Sequence, residues 1–560
     1  MERALIAYLA GALLGVGARA AEIVLSGGSS GLASFAIYSL VGGLAAALTR
    51  AASELVWPGY GARAASFAVL SGFGTLYLGY FANVKVLPTE PFWTPLSLSL
   101  DLVILAMLLA CAYRVLRSHR AQELRMRWGP VTRAGGALAV VGGVIVLAGE
   151  WPRPLRAETA RKGEGPNLLL VVMDSVRRDR LSLHVHSRPT SPDLDRWASR
   201  ARVFTRAYAA SSWTVPSVRE LLQAGTEGAL PARLAAQGYV TACFTDNPHL
   251  SNGSPLVAGF DRVERSVRRW RELLRGTVLG ETVERVDSGD DQHLVRMADR
   301  WARHQAGPVF LYVHLMDSHT PYRHPPIDGK RRGGRQIEFP REGMSMTAEE
   351  AEDVVARYEG GVRSADRAVG RILAAAEGWG RPWLAIVTSD HGESLGEDGR
   401  WFHGGSLHQE LLDIPLLVMG TGVEPGRFEG IVGHGAAPAT LAAAAAAGLA
   451  CSSCGQPDLR TSAGGAEAQG ALPPRLLYRI VDELKVTFDR RAGKTHLFDL
   501  KNDPRELRDL APTEGRRAAE LAAPLTHPPP ALPEAMPLEE IERLKALGYT
   551  TGGLGPASSN

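Results

Sequence analysis

Apolar and polar positions divide the chain into two regimes. Residues 1–152 hold five apolar stretches, at 4–25, 32–48, 65–86, 94–113 and 134–151, separated by short charged or turn-forming loops. A spanning helix needs roughly 20 apolar residues, so this succession predicts an N-terminal bundle of about five transmembrane helices. Arg19 and Glu22 interrupt the first stretch and Asp101 the fourth. Ala18-Arg19-Ala20 resembles a signal-peptide cleavage site, but the four further stretches argue against simple secretion. Arg114, Arg117, Arg120, Arg125, Arg127 and Arg133 crowd the loop between the fourth and fifth stretches, which marks that loop as cytoplasmic. The fifth span then leads outward, and everything after Trp151 is expected outside the cytoplasm.

After a polar linker at 153–165 the pattern changes to short apolar runs: 167–173 (NLLLVVM), 309–313 (VFLYV) and 383–388 (WLAIVT). Short unbroken runs bounded by turn residues predict strands buried on both faces, as in a parallel sheet under helices. The first run ends in Asp174. The second ends in His314 and leads through Asp317 to His319, and the third leads through Ser389 to Asp390 and His391. Open α/β sheets bind ligands at the carboxyl ends of their strands, so three ends carrying metal-ligand and acid–base residue types predict one centre. Between the first two runs lies 211–222 (SSWTVPSVRELL). Pro216 suits the first turn of a helix, which puts Thr214 at or just before its N-terminus. Backbone N–H groups there favour a tetrahedral oxyanion such as phosphate or sulfate, although a threonine in that place also serves as a simple cap.

Composition changes this picture little. The averages of 45% hydrophobic and 22% charged residues blend a lipid-facing part with a water-facing one. The net charge of +3 is small and the arginines form no basic stripe, which sets nucleic-acid binding aside. Four cysteines are too few for a disulfide framework, and the Cys451/Cys454 pair is open to a local disulfide or two free thiols. The alanine tract at 439–450 reads as a small-residue helix packed on the sheet. Residues 255–304 and 323–346 read as helices and polar loop, and 511–560 as a tail.

The motif order over 166–510 resembles the sulfatase family of the alkaline phosphatase superfamily. The matching segments are Pro166 through Met173-Asp174-Ser175 to Leu181, Arg188 through Asp195 with Phe204 to Tyr208, and His314 through Asp317 and His319 to Tyr322. Tyr358 to Asp366, Thr388 through Asp390-His391-Gly392-Glu393 to Glu397, and His403 with Glu410 to Pro415 follow, then Leu497 to Leu500 with Asp503-Pro504 and Glu506. The resemblance implies an α/β sulfatase domain at 166–510 with a mainly parallel central sheet and a small antiparallel C-terminal subdomain at about 470–510. It implies Asp174, Asp390, His391 and Thr214 as ligands of one divalent metal ion, which the donor types leave open among Zn, Mn and Ca. It further implies Thr214 as nucleophile and His319 and His403 as contacts to the transferred group or its leaving oxygen. Elementary chemistry agrees: a threonine hydroxyl needs a cation to lower its pKa, and imidazoles can protonate a departing alkoxide.

Two departures redirect the expected substrate. Sulfatases carry a Cys or Ser that becomes formylglycine where this chain has Thr214, and a second carboxylate where it has Ser175. A threonine nucleophile behind five apolar stretches instead resembles the phosphoethanolamine transferases and lipoteichoic acid synthases, although a glutamate commonly stands there in place of Asp174. The expectation is a multi-pass enzyme of a bacterial cytoplasmic membrane with an extracytoplasmic catalytic domain. It would act on a phospholipid or other ester at the membrane surface and pass the group to an acceptor or to water. A sulfuric ester hydrolase is the first alternative. A membrane sensor that keeps the fold without chemistry is the second, and the intact acid–base and metal-ligand set weighs against it.

Overall fold

The run at 167–173 forms strand β1 (Asn167–Met173), with every residue buried. A computed structural model of the chain describes residues 163–526, apart from 185, 224–227, 252, 267–290, 334–335, 338, 341–342, 446–455 and 473–474. The five apolar stretches, the Cys451/Cys454 pair and residues 527–560 lie outside the described residues. The chain divides into two units, and every described residue belongs to the second, residues 155–266 with 290–560. No helix of the described residues is long and apolar enough to cross a membrane.

The other strands are β2 (Ala201–Tyr208), β3 (Val240–Thr245), β4 (Arg262–Glu264), β5 (Val309–Leu315), β6 (Trp383–Thr388), β7 (Ser394–Leu395), β8 (Trp401–Phe402), β9 (Asp413–Gly420) and β10 (Gly426–Gly433). Among the described residues eight of these strands build one sheet, in the order β10-β2-β9-β6-β1-β5-β3-β4. β9 pairs antiparallel with both β2 and β6, while the remaining pairs are parallel. The sheet is therefore mainly parallel, as expected. Strand β4 is an addition within a segment read as helix and loop.

Helices cover both faces: α1 (Pro192–Trp197), α2 (Thr214–Gln223), α3 (Leu230–Ala236), α4 (Asp291–Arg303), α5 (Ala348–Glu377), the short α6 (Gln409–Leu412) and α7 (Ala436–Ala445). Alternate strand residues point to opposite faces, and β1 obeys this strictly. Leu169, Val171 and Met173 join the core under α4 and α5. Leu168, Leu170 and Val172 join the core under α2, α3 and α7. Full burial of such a side chain stabilises by about 1.5–3 kcal/mol, so a central strand buried on both faces anchors the fold. Thr347 and Glu350 close a capping box at the start of α5. The described part of the alanine tract, 439–445, lies in helix α7 and packs against the sheet as its small residues suggest.

A second sheet of strands β11 (Glu467–Leu472), β12 (Leu476–Val481), β13 (Leu484–Asp489) and β14 (Lys494–Asp499) is antiparallel throughout. The packing on this sheet reaches past residue 510. Helix α8 (Gly515–Ala522) buries Ala518 and Ala522, and Leu525 follows, all against Leu477, Val486 and Leu497. The i, i+4, i+7 spacing of 518, 522 and 525 places them on one face.

Candidate active site and metal centre

Parallel register gathers the site. Thr388 of β6 and His314 of β5 both pair with Val172 of β1, and His314 also pairs with Thr245 of β3. Four adjacent strands thus end level, and two residues further on stand Asp390, Asp174 and Asn247.

The Asp174 carboxylate is wholly buried. Its Oδ2 lies 2.9 Å from His314 Nε2 and accepts Asn247 Nδ2 at 2.9 Å, while Oδ1 accepts Ser175 Oγ at 2.7 Å. Asp390 Oδ1 accepts the backbone N–H groups of Ser175 (3.2 Å) and His391 (2.9 Å). Asp390 Oδ2 is 3.4 Å from His391 Nε2 and 3.9 Å from His314 Nε2, and among the described residues it has no hydrogen-bond partner. Thr214, the first residue of α2 and buried, sets its Oγ1 3.3 Å from His391 Nε2. That nitrogen is also 3.9 Å from Asp174 Oδ1.

These groups suit a cation. Burial pushes the Asp174 carboxyl up, but His319, His314 and His391 outweigh it and hold the group well below the usual carboxylate range. Burial likewise pushes His391 down, and Asp390 with Asp174 overcome it and raise the imidazole. Two buried carboxylates, one with an unpartnered oxygen, demand positive charge. Donor atoms of Asp174, His314 and Asp390 lie within 4.8 Å of one another, close enough to hold one ion.

His319 and His403 stand beside this centre. The His403 ring centroid is 4.3 Å from that of His391 and 5.1 Å from that of His319, with Phe402 stacked at 4.0 Å. His403 Nδ1 is 3.0 Å from Glu393 Oε1, and Tyr322 donates its hydroxyl to Glu393 Oε2 at 2.8 Å. Burial, followed by His391 and His319, holds His403 well below its ordinary range, so the resting imidazole is neutral.

The arrangement combines a buried hydroxyl, a candidate cation site and the neutral imidazole of His403, and the fold around it matches one family. Residues 166–447, just over half of the chain, match the model described as Sulfatase. The chain belongs to the sulfatase family. Its members act as metal-dependent enzymes. This sulfatase-family chain is 24% identical over 260 residues to the phosphoethanolamine transferase EptA of Helicobacter pylori, covering 45% of this chain and 47% of that one. It is 25% identical over 286 residues to the low-salt glycan biosynthesis sulfotransferase Agl7 of Haloferax volcanii, covering 50% and 60%. The chain thus spans about half the length of the curated relatives it matches. The solved structure of BT4656, in complex with its substrate D-glucosamine-2-N,6-O-disulfate, superposes with a TM-score of 0.51 at 15% identity, covering 65% of this chain and 97% of that one. At that identity the likeness is one of fold.

All six residues singled out in this sulfatase-family sequence meet here: Asp174, Thr214, Asp390 and His391 around one imidazole nitrogen, His319 and His403 next to it. Sequence reasoning used His314 as one of the three strand ends without naming it a ligand, gave no role to Asn247 or Glu393, and saw Ser175 only as a missing carboxylate. The signal for His314 and Asn247 was the same strand-end rule, since both stand at carboxyl ends of strands next to β1. Ser175 adopts a positive φ of 61°, which turns its N–H to Asp390 and leaves its hydroxyl on Asp174.

Proposed function

We propose that the protein is a membrane-anchored, metal-dependent enzyme that cleaves a phosphoester, with a phospholipid headgroup as the favoured donor, through a covalent Thr214 intermediate. The observation that carries this reading is the buried Thr214 hydroxyl 3.3 Å from His391 Nε2, amid two buried carboxylates. Threonine cannot become formylglycine, so the hydroxyl itself is the nucleophile. The relative named as a phosphoethanolamine transferase supports a phosphoester donor, and the five apolar stretches support the membrane anchor.

Asp174, Asp390, His391 and Thr214 Oγ1 would hold the metal, with His314 Nε2 in reach of both carboxylates. A divalent ion bound there supplies the charge that lowers the threonine pKa and polarises a phosphoryl oxygen. In the first half-reaction the Thr214 Oγ1–P bond forms as the bond from phosphorus to the leaving oxygen breaks. Thr214 gives up one proton and the leaving oxygen takes one, and the imidazoles of His403 and His319 are assigned to carry it. In the second, an acceptor hydroxyl or water bonds to phosphorus, the Thr214 oxygen leaves, and the acceptor's proton returns to it.

The test is a side-by-side assay of the detergent-purified full chain on an aryl phosphate, a phosphodiester, a phospholipid and an aryl sulfate, with metal added and with Thr214→Ala as control. Phosphoester turnover that disappears in the variant and on chelation is expected. A second reading, sulfuryl transfer or hydrolysis, is favoured by the relative named as a sulfotransferase. Aryl sulfate turnover that survives Thr214→Ala would establish it and sink the threonine nucleophile.

A further inference from the structure

The C-terminal sheet contributes no group to the chemistry above, yet it grips both loops that do. In the nucleophile loop, the Ser211 and Ser212 hydroxyls and the Trp213 indole N–H are buried with no hydrogen-bond partner among the described residues. The loop is held instead by its main chain. Ala209 N donates to Leu412 O (2.8 Å), Ala210 N to His434 Nδ1 (3.1 Å), Ser217 Oγ to Ser211 O (3.1 Å) and Gly404 N to Ser212 O (2.9 Å). Two further holds come from the C-terminal sheet. Tyr478 of β12 donates its hydroxyl to Ala209 O, and Ala471 N of β11 donates to Ala210 O at 2.8 Å. A Cβ on the neighbouring Gly470 would stand 2.1 Å from Ala210 O, so glycine is what permits this approach.

The second loop runs from His403 to Gln409. Lys485 of β13, with no exposed surface, donates to Leu407 O and pairs with Glu506 Oε1. Glu506 Oε2 accepts Gln409 N at 3.0 Å and lies 3.1 Å from His408 Nδ1. Burial pushes the Glu506 carboxyl up, and Lys485 with His408 more than reverse this, so the carboxylate stays ionised. Each loop thus has a clamp from the same sheet, and the Gly404 N to Ser212 O bond ties the loops to each other.

We propose that Lys485, Glu506 and Tyr478 are positioning residues of the transfer reaction: by fixing 407–409 behind His403 and 209–210 ahead of Thr214, they set the spacing between the nucleophile and the imidazole that serves it. The consequence for turnover rests on the roles given above to Thr214 and His403; the mechanical clamp does not. Misplacement of reacting groups by about 1 Å can cost on the order of a hundredfold in rate, so a clamp outside the site can govern kcat.

A purely stabilising role for the buried pair is separated by the double variant Lys485→Met/Glu506→Leu. Apolar replacement of a buried ion pair is often neutral or stabilising, so the fold is retained while the bonds to Leu407 O and Gln409 N are lost. Tyr478→Phe removes one hydroxyl and carries the test if the double variant does not fold. Each full-chain variant is measured for Tm, for kcat and KM on whichever ester the wild type turns over, and for amide exchange of segments 209–214 and 403–409 by mass spectrometry. The expected result is an unchanged Tm, kcat down about tenfold to a hundredfold with KM within about twofold, and faster exchange in the loop each variant releases. A variant with wild-type Tm that also keeps kcat and loop protection overturns the proposal. Failure of the phosphoester reading looks different: wild type inert on phosphoesters, or Thr214→Ala as active as wild type, with the exchange result still deciding the clamp.

Discussion

Single side chains set the charge of the centre and its pH limits. Ser175 stands where a second carboxylate was expected, and its hydroxyl orients Asp174 from 2.7 Å. Outer partners of metal ligands typically contribute tenfold to a hundredfold in affinity, so Ser175→Ala is expected to weaken divalent-metal binding by about that factor, read by competition with a chelator of known affinity. His434 bridges the nucleophile loop and the third strand end, accepting Ala210 N at Nδ1 and lying 2.9 Å from Ser389 O at Nε2. Burial pushes it down to about 4. Below the unfolded value near 6.5 the unfolded chain binds a proton that the native one refuses, so stability present above that pH is lost as pH falls toward 4. The expected loss at this residue is about 2 kcal/mol between about pH 7.5 and 5. Glutamine can make both bonds without titrating, so His434→Gln should flatten the pH dependence of urea unfolding by that amount. An unchanged slope would show that other groups carry it.

At the scale of elements, the sheet does the aligning. Leu170 pairs with Tyr312 on one side and Ile386 on the other, buried in the middle of the strand that ends in Asp174. Truncation of a core leucine costs about 2–5 kcal/mol, and Leu170→Ala is expected in that range by denaturant unfolding. The loss should be accompanied by weaker metal binding, because the cavity sits beneath the ligand-bearing ends. Helix α2 matters through its first residue: starting at Thr214, it offers the oxygen proposed as nucleophile next to the N–H groups of its first turn. The strand ends β1, β5 and β6 were legible as unbroken apolar runs followed by ligand types. Strand β3 (VTACFT) was not, because Thr241 and Thr245 break the apolar pattern although the whole strand is buried. Asn247, which follows it, was missed for that reason.

For the whole molecule, the five apolar stretches and the arginine-rich loop at 114–133 predict a protein that stays with the membrane under alkaline carbonate extraction. A cysteine placed on the exposed loop at Arg331 should react with a membrane-impermeant maleimide in intact cells. Release by carbonate, or labelling only after lysis, would overturn the anchor or its orientation.

The chain's hydrophobic pattern by itself determined the buried central strands, because a strand covered on both faces has no polar position to spare. The family resemblance singled out six residues, and all lie close to element ends: Asp174 and His403 directly follow strands, Thr214 opens a helix, and Asp390, His391 and His319 come within four residues of a strand end. Tertiary structure decided what sequence order cannot express. His314 and Asn247 reach Asp174 across 140 and 73 residues of chain only because parallel strands end level. Tyr478 and Lys485 of the C-terminal sheet reach main-chain oxygens of the loops before Thr214 and after His403, and a backbone acceptor leaves no mark in the sequence that would show which side chain it meets.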